Sequence, residues 1–179
     1  MHGLIHFELN KYVRERLGAD EWQEVLGLAG FPGKIYLASE TYPDAETMVL
    51  INAAAQRCGL APADFLRDYG TFIVADLIKM YWGAIKPGWR TLDFLVFAEE
   101  AIHRMVRRRD PSAKPPELRV ERRSPAEAHI VYSSRRKLCP MLIGMVNGVA
   151  SYYGDQVIVT QSQCMLEDGD ACVFSVTIL

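Results

Sequence analysis

Hydrophobic positions recur at helical spacing through the first hundred residues and at strand spacing in most of the remaining chain. Leu4, Ile5, Leu9, Val13 and Leu17 fall on one side of a helix that Gly18 ends. Asp20 is placed to cap a second helix that runs to Leu28 and closes near Gly30 and Pro32. Asp44, following Pro43, opens a third helix that reaches Cys58 and Gly59. Pro62 suits the first turn of a fourth, over residues 63 to about 82. Lys86, Pro87 and Gly88 interrupt the pattern, and a fifth helix is predicted from about Thr91 to Arg108.

The period then shortens. Asp110, Pro111, Pro115 and Pro116 make a stiff connection that cannot be helical. Residues 118–123 and 128–132 alternate as short strands around a turn at Ser124 and Pro125. Residues 138–153 form an apolar helix rich in small side chains. Residues 156–163 and 171–179 read as a hairpin joined through Glu167, Asp168, Gly169 and Asp170. The predicted class is α+β, an N-terminal helical subdomain followed by a four-stranded antiparallel sheet with one packed helix.

A chain of 179 residues, half of them hydrophobic, suits one domain with a substantial core. No apolar run approaches the roughly 20 residues needed to cross a bilayer, so membrane insertion is not expected. Residues 1–17 carry Glu8, Lys11, Arg14, Glu15 and Arg16, unlike a signal peptide. The four cysteines are therefore expected to be reduced in a cytoplasm. A net charge of −2 gives no reason to expect nucleic acid. Residues 1–100 hold 9 basic and 14 acidic side chains, while residues 101–179 hold 11 and 8. Either the solvated faces differ by chance, or the second half receives something anionic.

Tyr132, Ser134 and Arg136 bear on that choice. In extended chain, residues two apart point the same way, so a phenol, a hydroxyl and a guanidinium would converge. All three donate hydrogen bonds, and arginine can grip a carboxylate with two. The row is either a carboxylate clamp or a polar strand edge facing solvent. On a regular helical wheel His103 sits at the margin of the apolar arc of Leu95, Ala98, Ile102 and Val106. There it is either an iron-competent imidazole or a structural histidine. Glu99 and Glu100 are placed to pair with His103 and Arg104 one turn on. His2 and His6, on the first helix, are its competitors. No phosphate loop, nucleophile–base pair or catalytic carboxylate pair stands out, so no enzyme activity is expected.

The segments MHGLIHFELNKYV, LDFLVFAEEAIHRMV, PPELRV, YSSRR and GMVNGVASYYG, in that order, resemble the H-NOX family, the haem–nitric oxide/oxygen binding domains. The most specific part is the Y-x-S-x-R row about thirty residues beyond the histidine. The resemblance implies a single domain over residues 1–179, with a distal helical subdomain at 1–60 and a proximal helix-and-sheet subdomain at 61–179. It implies haem b on His103, propionates on Tyr132, Ser134 and Arg136, and Pro116 pressing on the porphyrin. It implies a pocket lined by Ile5, Leu9, Ile73, Met141 and Met145.

Family members that bind oxygen are similar in placing a tyrosine at position 141, where this chain has methionine. The resemblance therefore implies binding of nitric oxide and carbon monoxide with dioxygen excluded, Tyr69 and Tyr81 being the remaining hydroxyls to consider. Gas binding would release His103 from iron and let the haem relax against Pro116. The partner implied is a separate effector, such as a histidine kinase or a cyclic-di-GMP enzyme, in the manner of bacterial stand-alone members. Some bacterial members place four cysteines around a structural zinc where this chain has Cys139, Cys164 and Cys172, with Gln161 at the fourth position. His129, Asp168, Asp170 or water would have to complete such a site. Zinc, plain thiols and a redox-active pair stay open, and a thiol or zinc redox sensor is the alternative function.

Overall fold

A computed structural model describes residues 1–109 and 114–179, so the Asp110 and Pro111 part of the expected connection lies outside the described residues. The chain divides into two compact units, Met1–Tyr69 and Gly70–Leu179.

The first unit is helical. α1 (Gly3–Leu17) ends at Gly18, whose φ of 128° a side chain would resist. Next comes α2 (Glu21–Leu28), but Asp20 has helical backbone angles and makes no side-chain cap bond, contrary to the expected capping. α3 (Asp44–Cys58) carries Asp44 and Glu46 in its first turn, where the helix dipole favours acids, and stops at left-handed Gly59. α4 (Pro62–Tyr81) begins in this unit. Leu9, Val13, Leu26, Leu50, Ile51 and Phe65 make its core. His6 is fully buried there, stacked 4.6 Å from the Tyr36 ring and 3.0 Å from the Thr47 hydroxyl. Burial pushes its pKa down to about 4. It is committed to this aromatic cluster.

The second unit holds the rest of α4, then α5 (Thr91–Phe97), a π-helical turn over Ala98–His103, and α6 (Arg104–Arg109). The expected single fifth helix is thus interrupted by i→i+5 bonding, which nothing in the apolar spacing announces. The start of α5 is anchored. The buried Thr91 hydroxyl donates to Asp155 at 2.7 Å, Arg90 pairs with the same carboxylate, and Asp93 accepts from the Arg90 amide at 3.0 Å.

β1 (Glu117–Ser124), β2 (Glu127–Ser133), β3 (Val157–Gln163) and β4 (Cys172–Ile178) form an antiparallel sheet in the order β1-β2-β4-β3. Alternate residues Ala128, Ile130 and Tyr132 of β2, and Cys172, Phe174 and Val176 of β4, are buried against α5 and α7 (Cys139–Tyr153). α7 also approaches the second half of α4 closely. A Cβ on Gly70 would lie 2.3 Å from the Met141 carbonyl oxygen, and Thr71 donates to the Gly144 carbonyl at 3.0 Å. The architecture is the expected α+β one. Among the described residues no helix is long and apolar enough to cross a membrane.

Candidate functional site

His103 closes the π turn with its side chain only 18% exposed. Its Nδ1 lies 2.7 Å from Glu99 Oε2, and the other oxygen of that carboxylate accepts from Arg107 at 2.9 Å. Burial pushes the His103 pKa down, and Glu99 offsets this only in part, so the imidazole is neutral at neutral pH. A carboxylate only accepts, so Nδ1 carries the proton and Nε2 is left with its lone pair, the form that ligates metal. The structure records no other hydrogen bond to His103 among the described residues. The expected Glu99–His103 pair is present, and the side chain of Glu100 lies outside the described residues. Because a π turn advances each residue through a smaller angle than an α turn, the regular wheel misplaced His103 against α5.

Tyr132 is 4% exposed on β2, opposite Cys172 of β4. Burial raises its phenol pKa, with the Ser134 side chain and Leu138 backbone opposing, so it stays a protonated donor. The alternation invoked for Tyr132, Ser134 and Arg136 does not run through the row, because β2 ends at Ser133. Ser134 to Lys137 is a turn instead: Lys137 takes a φ of 51° and donates to the Ser134 carbonyl at 3.0 Å. The Arg136 amide donates to the Ser134 hydroxyl at 3.2 Å, a serine–backbone turn. The Arg136 guanidinium donates to the Lys114 carbonyl at 2.6 Å, tying this turn to the segment that holds Pro116. Pro116 is half-buried immediately ahead of β1. The strand positions Tyr132, and the turn after it positions Ser134 and Arg136. His103 has no hydrogen bond to them among the described residues.

Of the predicted liners in this unit, Ile73 and Met141 are buried and Met145 half-buried. Met145 and Ile102, the neighbour of His103, pack against one cluster with Val74, Ile78, Phe94 and Val149. In the first unit, Leu9 is fully buried and Ile5 half-buried. The Tyr69 hydroxyl donates to the Ile5 carbonyl at 2.6 Å. Sequence reading missed Gly70, although a glycine inside an apolar helix was its signal.

Cys139, Cys164 and Cys172 bring their sulfurs within 4.8 Å of one another. Cys139 and Cys164 are 3.9 Å apart, Met165 donates its amide to Cys172 at 3.2 Å, and Leu166 donates to Cys164 at 3.4 Å. Burial raises the Cys139 thiol pKa. Burial acts the same way on Cys164, but the Leu166 amide and the Cys139, Cys172 and Gln161 side chains outweigh it and hold that thiol below its ordinary value. Among the described residues, His129, Asp168 and Asp170 do not join the group. His129 is held by Arg123 and Glu127, three residues from Tyr132 and so on the opposite face of β2.

The profile of the haem-NO-binding family matches residues 2–161. Soluble guanylate cyclase gcy-35 of Caenorhabditis elegans is 26% identical over 172 residues, covering 91% of this chain and 24% of that protein. Soluble guanylate cyclase 89Da of Drosophila melanogaster is 27% identical over 178 residues, covering 96% and 26%. The chain thus spans about a quarter of the length of these curated relatives. An H-NOX protein from S. oneidensis in the Fe(II)NO ligation state superposes with a TM-score of 0.91 at 20% identity, over 100% of this chain and 99% of that one. Fe(II) unliganded H-NOX from K. algicida gives 0.85 at 20% identity, over 100% and 97%. These two establish the fold. With the family profile covering most of its length, the chain belongs to the haem-NO-binding family, the H-NOX domains of haem-based gas sensors.

Proposed function

We propose that this domain senses nitric oxide through ferrous haem b held on His103, binds carbon monoxide similarly, and excludes dioxygen. The residues fit the group: a neutral imidazole with a bare Nε2, a phenol near the end of β2, and a hydroxyl and a guanidinium in the turn that follows. In this reading Tyr132, Ser134 and Arg136 hold the propionates and Pro116 presses on the ring. The haem supplies an iron that binds diatomic gases.

The observation that carries the gas preference is the absence of a side-chain donor on Ile73, Met141 and Met145, or on Ile5 and Leu9 of the first unit. The Tyr69 hydroxyl is already spent on the Ile5 carbonyl. A dioxygen ligand would need a nearby donor, worth about 1.5–3 kcal/mol, that these side chains do not supply, whereas nitric oxide would not depend on one. The ferrous haem protein is therefore expected to give one absorption spectrum in argon and in air, and a different one with nitric oxide. Met141→Tyr is expected to create an air-dependent spectrum. A stable difference between air and argon in the wild type would overturn the exclusion of oxygen.

Signalling results if gas binding releases His103, because only a ligand with unequal affinity for two arrangements shifts their balance. The effector is proposed to be a separate cytoplasmic protein, a histidine kinase or a cyclic-di-GMP enzyme in a bacterial two-component setting. The guanylate cyclases among the relatives make a linked cyclase the contrasting outcome of a pull-down and activity assay.

The three gathered sulfurs favour a second reading, a thiol or zinc redox sensor. Zinc–sulfur bonds of about 2.3 Å place tetrahedral sulfurs about 3.8 Å apart, and Cys139 and Cys164 are separated by 3.9 Å. Amide donors to two of the sulfurs favour thiolates. Metal analysis of protein purified without chelator is then expected to find about one zinc per chain, lost in Cys164→Ser. Regulation of the effector that survives removal of haem would favour this reading over the first.

A further inference from the structure

The Glu99–His103–Arg107 chain is more than a helix-surface ion pair. Glu99 and His103 side chains are 23% and 18% exposed, and their contact is short at 2.7 Å. Such a bond between a carboxylate and an imidazole N–H is charge-assisted and largely shielded from water. It occupies Nδ1 and leaves Nε2 as the nitrogen open to a metal, fixing the direction in which Nε2 points. Arg107 holds the other oxygen of the same carboxylate, at 2.9 Å and 41% exposed, and draws on the same negative charge.

We propose that Glu99 is a positioning residue for His103 and, with Arg107, sets how firmly His103 holds iron and hence how readily gas releases it. The proposal rests on His103 being the axial ligand. As the Nδ1 proton leans toward Glu99, the ring gains imidazolate character and Nε2 becomes the stronger donor, as in other carboxylate–histidine–metal arrangements. Arg107 acts in the opposite sense by competing for the carboxylate. The pair therefore works as an opposed couple, one member tightening the bond and the other loosening it. No proton leaves the pair and no bond beyond the iron–nitrogen one changes.

Three variants test this: Glu99→Gln keeps an acceptor without charge, Glu99→Leu removes it, and Arg107→Met removes the competing cation. The first readout is nitrogen-15 NMR of the His103 ring in haem-free protein. The wild type is expected to carry its proton on Nδ1, and Glu99→Leu to shift toward the Nε2-protonated form. The second is the iron–histidine stretching band of the ferrous haem protein. It is expected to fall stepwise from wild type to Glu99→Gln to Glu99→Leu, and to rise in Arg107→Met. Under nitric oxide, Glu99→Leu is expected to move the balance between bound and released His103 about tenfold toward release. A merely structural pair would change the melting temperature alone. His103→Ala separates the failures. If it abolishes the stretching band while the Glu99 variants leave band and tautomer at their wild-type values, the proposal is overturned and the axial reading stands. A band that survives in His103→Ala overturns both.

Discussion

His103→Ala is expected to lower the affinity for haem by on the order of 100-fold or more and to change the ferrous absorption spectrum before any gas is added. Losing a residue that only orients a metal ligand costs about 10–100-fold, and losing the ligand itself costs more. The fold should lose stability only modestly. The side chain is 18% exposed, and its bond to the Glu99 carboxylate is charge-assisted and worth about 1.5–3 kcal/mol. The melting temperature of the haem-free variant should therefore fall by several degrees while the chain still folds. Free imidazole added to the variant should restore the wild-type spectrum by supplying the missing nitrogen. An unchanged spectrum in the variant would remove the axial assignment. A large loss of stability without haem would show that His103 is needed by the fold.

Gly70→Ala is expected to destabilise the protein by about 2 kcal/mol, although helix propensity alone would stabilise it by about 1 kcal/mol. The sign reverses because the new methyl would stand 2.3 Å from the Met141 carbonyl oxygen and 3.1 Å from its carbon, both backbone atoms that cannot rotate aside. Overpacking of this kind costs about 1–3 kcal/mol, sometimes more. Relief requires the first turn of α7 to move away from α4, carrying Met141 with it. Urea unfolding should show a lower midpoint at unchanged slope, and the rate of nitric oxide binding to the haem protein should change as well. A variant as stable as wild type would mean that α7 yields at that point without cost.

Much of this architecture is legible in the residues because its boundaries are marked chemically. Gly18, Gly59 and Pro62 stand where helices stop and start, and alternation at Ala128, Ile130 and Tyr132 marks the inner face of a strand. Two features near the candidate site carry no such mark. The residues of the π turn, Ala98–His103, have ordinary helical propensities, so the change in bonding comes from tertiary context. The polar run after Ser133 continues an alternation on paper, whereas the Ser134 hydroxyl closes a turn by accepting from the Arg136 amide. Tyr132, Ser134 and Arg136 were thus found as a group for a reason that holds only for Tyr132. The cysteine cluster was legible because Cys164 and Cys172 flank a hairpin turn. His129 was not excluded until the strand register put it on the other face.

The π turn also has a bearing on how this domain can change length. It holds an extra residue within what would otherwise be one helix from Thr91 to Arg109. Deleting any one residue between 98 and 102 would let the segment close into regular α-helix, at little cost in hydrogen bonds. Because the π turn spends one residue more on the same rotation, residues beyond the deletion would keep roughly their present bearing. His103 and Arg107 would still face as they do now, while Glu99, if ahead of the cut, would stand three residues from His103 instead of four. A one-residue gap here would therefore change the pairing of Glu99 with His103 before it changed the direction in which the histidine faces.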